Sequence, residues 1–312
     1  MLGYSREEMT GQALERFVHA EDVEKLRAGM ALRKRGLGET YERRLVRKDG
    51  TTIWASINAT PILGQRGSFL GSIAMYTDIT GRKQVEDAQL FLAGFASSSA
   101  GEDFFQALAR YLAQAMSMDY VCIDRLEGDL LTAHTVAVFH DGHFEQNVSY
   151  TLKDTPCGEV IDQRDCCFTS GVCELFPKDE VLQVLNAESY VGITLFDSRG
   201  GPIGLIAVIG RKPLANPGLA QSLLKLVSTR AAGELERQQA EQAIREGEQR
   251  LVSLADNLAS TMVYQIIGEP DGGRRFTYVS RSVERLNETT AEEVLADASV
   301  IYNQILPEYL PM

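Results

Sequence analysis

No apolar run in the sequence approaches the roughly 20 residues that a bilayer-spanning helix needs. The opening MLGYSREEMTGQ lacks the charged-then-apolar pattern of a secretory signal. Together these absences predict a cytoplasmic chain with no membrane segment. Basic residues are in deficit: 31 Lys and Arg face 43 Asp and Glu, a formal net charge of −12. An acidic surface repels phosphate backbones and anionic lipid headgroups, so neither nucleic acid nor a membrane is an expected partner. The cysteine count, five, is odd, which argues against a secreted disulfide framework and predicts reduced thiols.

Catalytic signatures are missing as well. There is no Gly-x-Ser-x-Gly elbow and no His-Glu-x-x-His pair. The glycine-rich stretches GLGET and RGGPIG lack the Gly-Lys-Ser/Thr ending of a phosphate cradle, and the second reads as a hairpin turn. No catalytic residue is expected, and the chain is read as a non-enzyme. Cys157, Cys166, Cys167 and Cys173 lie in one stretch. The adjacent thiols at Cys166 and Cys167 suit one tetrahedral ion poorly, so no metal is expected. Free thiols are mostly small buried hydrophobes; redox sensing, and metal or pigment binding, are the alternatives. His140 and His143 flank Asp141-Gly142, a strong turn signal, so exposed imidazoles on a hairpin are expected in preference to a metal site.

What is present is ordinary globular composition: 312 residues, 44% hydrophobic and 24% charged, enough for two or three domains. Ser5 and Glu8 have capping-box spacing. A helix is predicted over about residues 21–35, with Val23, Leu26 and Met30 on one face and Gly36 at its end. The period then changes to two. YERRLVRKDGTTIWASINATPI predicts a hairpin turning at Lys48-Asp49-Gly50, and SFLGSIAMYTDIT a third strand. A polar helix follows, and from about Asp103 a second module begins with helical spacing at Phe104, Leu108, Tyr111, Leu112 and Met116. Strands are predicted at YVCIDRL, LLTAHTVAVF, NVSYTL, YVGITLFDS and GPIGLIAVIG, the last two joined at Arg199-Gly200-Gly201. Sheet with helices on both sides in sequence is an α+β module.

From Leu219 to Leu258, residues spaced alternately four and three apart form a heptad seam, weak at Arg230, Gly233 and Arg237. It predicts a long connecting helix that pairs with a second copy. A hairpin around Asp271-Gly272-Gly273 follows, then a helix capped by Thr290 and Glu293. The tail LNETTAEEVLAD echoes the head LGYSREEMTG, and ILPEYLP echoes FVHAEDV.

The head stretches LGYSREEMTG, VHAED and RLVRKDGTTIWASINATPI, and the DIT exit with Arg82 just beyond, resemble the later part of a PAS domain with its PAC region. The resemblance implies that the first two strands of that fold would lie before Met1. TPCGEVI, ELFPKDE and ESYVGITLFDSRGGPIGLIAVIG resemble a GAF domain, and the tail resembles the start of a second PAS domain. The expected layout is a partial PAS domain over 1–81, a GAF domain with flanking helices over 82–236, a coiled-coil-like connector over 237–258 and a partial PAS domain over 259–312. The fold expected is therefore α+β, a GAF-like central antiparallel sheet between partial PAS-like domains, joined by long signalling helices.

Such arrays imply a bacterial sensory and signal-relay segment. The resemblance implies a small-molecule ligand in the GAF domain, a homodimer through the long helices, and a downstream histidine kinase or diguanylate cyclase module in the full-length protein. It identifies no cofactor. Cys157 and Tyr190 are the candidate ligand-pocket residues, and Asp78, Thr80 and Arg82 the signalling junction. An Asp78–Arg82 ion pair, four residues apart, is expected to set the exit angle of the helix. Two alternatives stand beside this reading. One is a structural dimerisation spacer with no ligand. The other is a cysteine-dependent redox sensor or reductase, since a GAF-related fold also serves methionine sulfoxide reduction.

Overall fold

The computed structural model describes residues 1–97, 103–258, 260–268 and 274–304. Ser5 caps the short helix α1 (Arg6–Met9): the Glu8 amide donates to Ser5 Oγ at 3.3 Å and the Ser5 amide to Glu8 Oε2 at 2.9 Å. Helix α2 (Val23–Lys34) stops before Gly36, which takes a φ of +83° that suits a residue without Cβ. The alternating segments form β1 (Glu39–Val46), β2 (Thr52–Leu63) and β3 (Phe69–Asp78), an antiparallel meander. One face carries Leu45, Ile53, Ala55, Ile57 and Ala59, all buried, and packs on Leu26 of α2. Helix α3 (Thr80–Ser97) leaves the end of β3.

Asp103 caps α4 (Phe104–Met116), accepting from the Phe105 amide at 2.8 Å. The strands β4 (Tyr120–Leu126), β5 (Thr132–His140), β6 (His143–Phe144) and β7 (Ser149–Thr151) follow. The cysteine-rich stretch folds into short elements: α5 (Pro156–Gln163), β8 (Asp165–Phe168), α6 (Val172–Leu175) and α7 (Glu180–Leu185). Then come β9 (Ser189–Phe196) and β10 (Pro202–Gly210), joined where Gly200 takes a φ of +84°. These strands make one antiparallel sheet in the order β6-β5-β4-β10-β9-β8, with β7 also paired to β5. Residues of β9 and β10 are buried on both faces, which is why they read as unbroken apolar runs. On one side Cys122, Leu126, Tyr190, Leu205 and Ala207 pack against Val160 of α5 and Leu182 of α7. On the other, α4 lies over β4 and β5.

Helix α8 (Pro217–Asn257) runs without a break. Its first half buries Ala220, Leu223, Leu224, Val227, Ala231 and Leu235. That stripe shares only Leu223 with the apolar positions of the expected seam. From Arg230 onward every seam position is exposed, with Ile244 at 61%, Leu251 at 69% and Leu254 at 59%. The helix thus uses one face within its own chain and leaves the other to solvent.

The chain divides into two compact units, Met1–Gly233 and Glu234–Met312. The second contains the antiparallel hairpin β11 (Tyr264–Gly268) and β12 (Arg274–Val279), followed by α9 (Ser282–Asn287), α10 (Ala291–Ala296) and α11 (Ser299–Tyr302). Phe276, Val279, Val283, Val294 and Ile301 form its core. Thr290 and Glu293 cap α10 reciprocally, as their spacing predicts. The turn expected at Asp271-Gly272-Gly273 and the segment ILPEYLP lie outside the described residues. Among the described residues no helix is long and apolar enough to cross a membrane.

Candidate functional site

Strand β4 places Cys122 and Asp124 on the same face, because residues two apart in a strand point the same way. Strand β7 brings Tyr150 above them, the first turn of α5 brings Cys157, and β9 brings Tyr190. The five side chains form a buried polar chain. Asp124 has no exposed surface; it accepts from the Tyr150 hydroxyl at 2.9 Å and the Cys122 thiol at 2.8 Å. Tyr190, also fully buried, donates its hydroxyl proton to Cys157 Sγ at 3.3 Å. The Tyr150 oxygen lies 3.6 Å from the same sulfur. Tyr150 has one proton, and with it given to Asp124 the Tyr150 oxygen is left to accept from the Cys157 thiol.

Neither donor to Asp124 is a cation, so burial pushes its carboxyl up from 3.8 to about 6. Burial also pushes the Cys157 and Cys166 thiols up to about 12, and Cys122 well above its ordinary value. Thiols so placed stay protonated, the opposite of the electropositive setting that a reactive cysteine needs.

A groove of about 790 Å³ lies over the start of α5, lined by Leu131, Leu152, Gly158, Ile161, Phe176 and Lys178 among others. Gly158 is required there: a Cβ would meet the Leu152 carbonyl oxygen at 2.5 Å. Lys178 pairs with Asp154 across the rim at 3.1 Å. Cys157 and Tyr190, the expected pocket residues, do come together, but as the filled layer beneath; neither lines the groove. Asp124 and Tyr150 were not singled out from the sequence. The available signal was Asp124 sharing strand parity with Cys122 and Leu126.

The junction residues sit where β3 becomes α3. Asp78 Oδ1 accepts from the Thr80 amide at 2.9 Å, and Asp78 Oδ2 pairs with Arg47 Nη2 at 3.4 Å. Thr80 Oγ1 accepts from the Trp54 amide at 3.0 Å, tying the helix start to β2. The expected Asp78–Arg82 pair does not form. The Asp78 carboxylate is taken up by the first turn it caps, while Arg82, one turn on, reaches Glu42 of β1 and Glu86 of its own helix. Further along, Gln84 Nε2 donates to the Ala115 carbonyl of α4 at 3.0 Å, and Phe91 stacks on Tyr111 at 4.5 Å. The His140–His143 turn is a hairpin, with Asp141 and Gly142 at positive φ. His140 is half-buried, not exposed as expected: its ring packs on Tyr120 and lies 2.6 Å from Glu145. Among the described residues no group of three or more His, Cys, Asp or Glu side chains is placed to hold a metal ion.

The described residues thus hold two α+β modules, each continued by a helix, α3 and α8. A PAS domain family model matches residues 1–81 and a GAF domain family model matches residues 100–235. Both are sensory, non-catalytic domain types. Among solved structures, the chain is similar to the GAF domain of an Acinetobacter phosphoenolpyruvate-protein phosphotransferase, at 18% identity and a TM-score of 0.42, covering 52% of this chain and 98% of that one. It is similar to the chromophore-binding domain of the Stigmatella aurantiaca bacteriophytochrome, at 14% identity and a TM-score of 0.41, covering 75% and 86%. It is also similar to a PAS domain of a Colwellia psychrerythraea protein, at 29% identity and a TM-score of 0.23, covering 25% and 66%. No curated protein matches the sequence.

Proposed function

We propose that this chain is the sensory and relay segment of a bacterial signal-transduction protein. In this reading residues 1–81 are the later part of a PAS domain, 82–236 a GAF domain, 237–258 a connector and 259–312 the start of a second PAS domain. The output module, a histidine kinase or a diguanylate cyclase, belongs to the full-length protein. A small molecule in the groove over Gly158 would change the packing of α5 on the polar chain below, and α3 and α8 would carry the change away. The observation that carries this reading is the continuity of groove, polar chain and sheet in one module, with α3 bonded to α4 of that module.

The exposed row Ile244, Leu251 and Leu254 supports pairing of α8 with a second copy in the cytoplasm. Light scattering of the whole chain is expected to give a dimer, and Ile244→Asp with Leu251→Asp a monomer. A monomeric wild type at high micromolar concentration would end the dimer reading. Thermal shift against nucleotide, haem and flavin panels tests the ligand. One observation favours the alternative of a structural spacer: Tyr190 is fully buried and its hydroxyl is already taken up by Cys157. If no ligand class shifts the transition while the dimer persists, the spacer reading stands.

A further inference from the structure

Proton counting gives the buried polar chain of the larger sheet a direction. With Asp124 ionised, Cys122 and Tyr150 both donate to it, at 2.8 and 2.9 Å. Tyr150 then has no proton left for Cys157, 3.6 Å away, so the thiol donates to the Tyr150 oxygen. Tyr190 donates in turn to the sulfur at 3.3 Å. Every donor points toward the carboxylate: Tyr190 to Cys157, Cys157 to Tyr150, Tyr150 to Asp124.

One proton added at Asp124 reverses the near end of this chain. A protonated carboxyl donates as well as accepts. Its two neighbours are a phenol oxygen and a thiol sulfur, and sulfur is the weaker acceptor, so the new proton sits on Oδ2 and points at Tyr150. The Tyr150 hydroxyl proton then turns to the Cys157 sulfur, and Cys157 loses the acceptor of its own proton. Cys157 stands in the first turn of α5, next to Gly158. Leu152, two residues on from Tyr150, presents its carbonyl to the same glycine. Gly158 and Leu152 both line the groove. A proton bound at the sheet is thus felt at the groove wall.

The groups that face Asp124 are neutral: Tyr120 and Cys122 on β4, Tyr150, Cys157 and Tyr190, with Thr135 opposite on β5. Two further carboxylates act on the chain, Asp179 on Cys157 and Glu145 on Tyr120, and neither supplies a counter-charge. Asp124 has no exposed surface, and burial accordingly pushes its carboxyl up to about 6. We propose that Asp124 is a proton-binding sensory site, and that its occupancy is passed to α5 by reversal of the Tyr150 hydroxyl. The proton itself is the ligand. This deepens the sensory reading by naming a stimulus. It needs no occupant in the groove, so it and the thermal-shift panel succeed or fail independently.

Infrared spectroscopy of the whole chain tests the proposal. S–H stretching falls where other protein groups absorb little, and its frequency rises when a thiol loses its acceptor. Subtracting the Cys157→Ser spectrum isolates the Cys157 band. Between about pH 8 and about pH 5 that band is expected to move to higher frequency in wild type, with its midpoint at about pH 6. Asp124→Asn is expected to hold the band at one frequency across this range, although Asp179 is still present to titrate. Tyr150→Phe removes the middle link and is expected to keep the band at the high frequency throughout. Circular dichroism checks that each variant folds, and either variant alone suffices. A Cys157 band that does not move in wild type overturns the proposal. So does a shift that survives in a folded Asp124→Asn or Tyr150→Phe chain.

Discussion

The two sheets of the first unit bury opposite charges without a counter-charge. In the β1-β2-β3 meander the unmatched group is a guanidinium, Arg43; in the larger sheet it is a carboxyl, Asp124. The chemistry of the two groups makes these situations different. A carboxyl denied water can shed its charge by taking a proton, and burial pushes the Asp124 carboxyl up from 3.8 to about 6. A guanidinium cannot give its proton up. The larger sheet can therefore neutralise itself from within, whereas the guanidinium of the meander keeps its charge against the Tyr41 ring.

The largest expected effect separates these cases at the carboxyl. The folded state holds the Asp124 proton more tightly than the unfolded chain. This contribution to stability is therefore full below about pH 4, falls as pH rises to about 6 and is flat above. A rise from 3.8 to about 6 corresponds to about 3 kcal/mol across that window. Asp124→Asn is expected to remove this slope and to be the more stable form at pH 8. Hydrogen exchange of the β9 and β10 amides across pH 4 to 8 measures it. A variant that keeps the wild-type slope would mean that Asp124 is not the group responsible.

A smaller effect of opposite sign is expected in the meander, at a buried carboxylate that does have partners. Asp22 is 2% exposed; it accepts from Arg44 Nε at 2.9 Å and from Lys25 Nζ at 3.1 Å. The hydrogen bonds from Arg44 hold its carboxyl well below the usual carboxylate range. Its stabilising contribution is present above about pH 4 and is lost as pH falls further. Asp22→Ala is expected to cost about 2 kcal/mol at neutral pH, on the scale of hydrogen bonds to a charged group. The single tryptophan, Trp54, lies on β2 and reports this sheet together with the start of α3. Acid should thus loosen the meander, read by Trp54 emission, while it tightens the β9–β10 amides. If both probes move in the same direction with pH, the contrast fails.

How far these features were legible depends on what fixed them. Local chemistry was legible: the Ser5–Glu8 and Thr290–Glu293 boxes, the turns at Gly50 and Gly200, and the unbroken apolar runs of β9 and β10 all formed as their residues predict. The α5 to α7 stretch was not, because helices of four to eight residues draw their stability from packing, not propensity. The charged interior was missed for a related reason. Arg43 and Asp124 look like outward positions when polarity alone is read, yet each shares parity with buried neighbours, Leu45 in one strand and Leu126 in the other. Cys157 and Tyr190 lie together in the interior, and neither lines the groove over α5. The seam of α8 was overdrawn at its start, since Leu223 is consumed by the chain's own core.

The smallest expected effect lies between the two sheets, at the junction. Arg82 is half exposed and shares Glu42 with Lys83, whose Nζ lies 2.8 Å from the same carboxylate. Pairs of this kind contribute little to stability because water competes for both partners. Arg82→Ala alone is expected to leave the Trp54 transition where it is, because Lys83 continues to hold Glu42. Arg82→Ala combined with Lys83→Ala frees the start of α3 from β1, and only then should a change at one sheet cease to reach the other. The readout is whether acid titration seen by Trp54 still alters exchange at Ala115 and its neighbours in α4, which Gln84 of α3 contacts. Loss of that coupling in the double variant, with both transitions unmoved, would place the junction's role in geometry. Persistence of the coupling would leave it to the Phe91–Tyr111 stack.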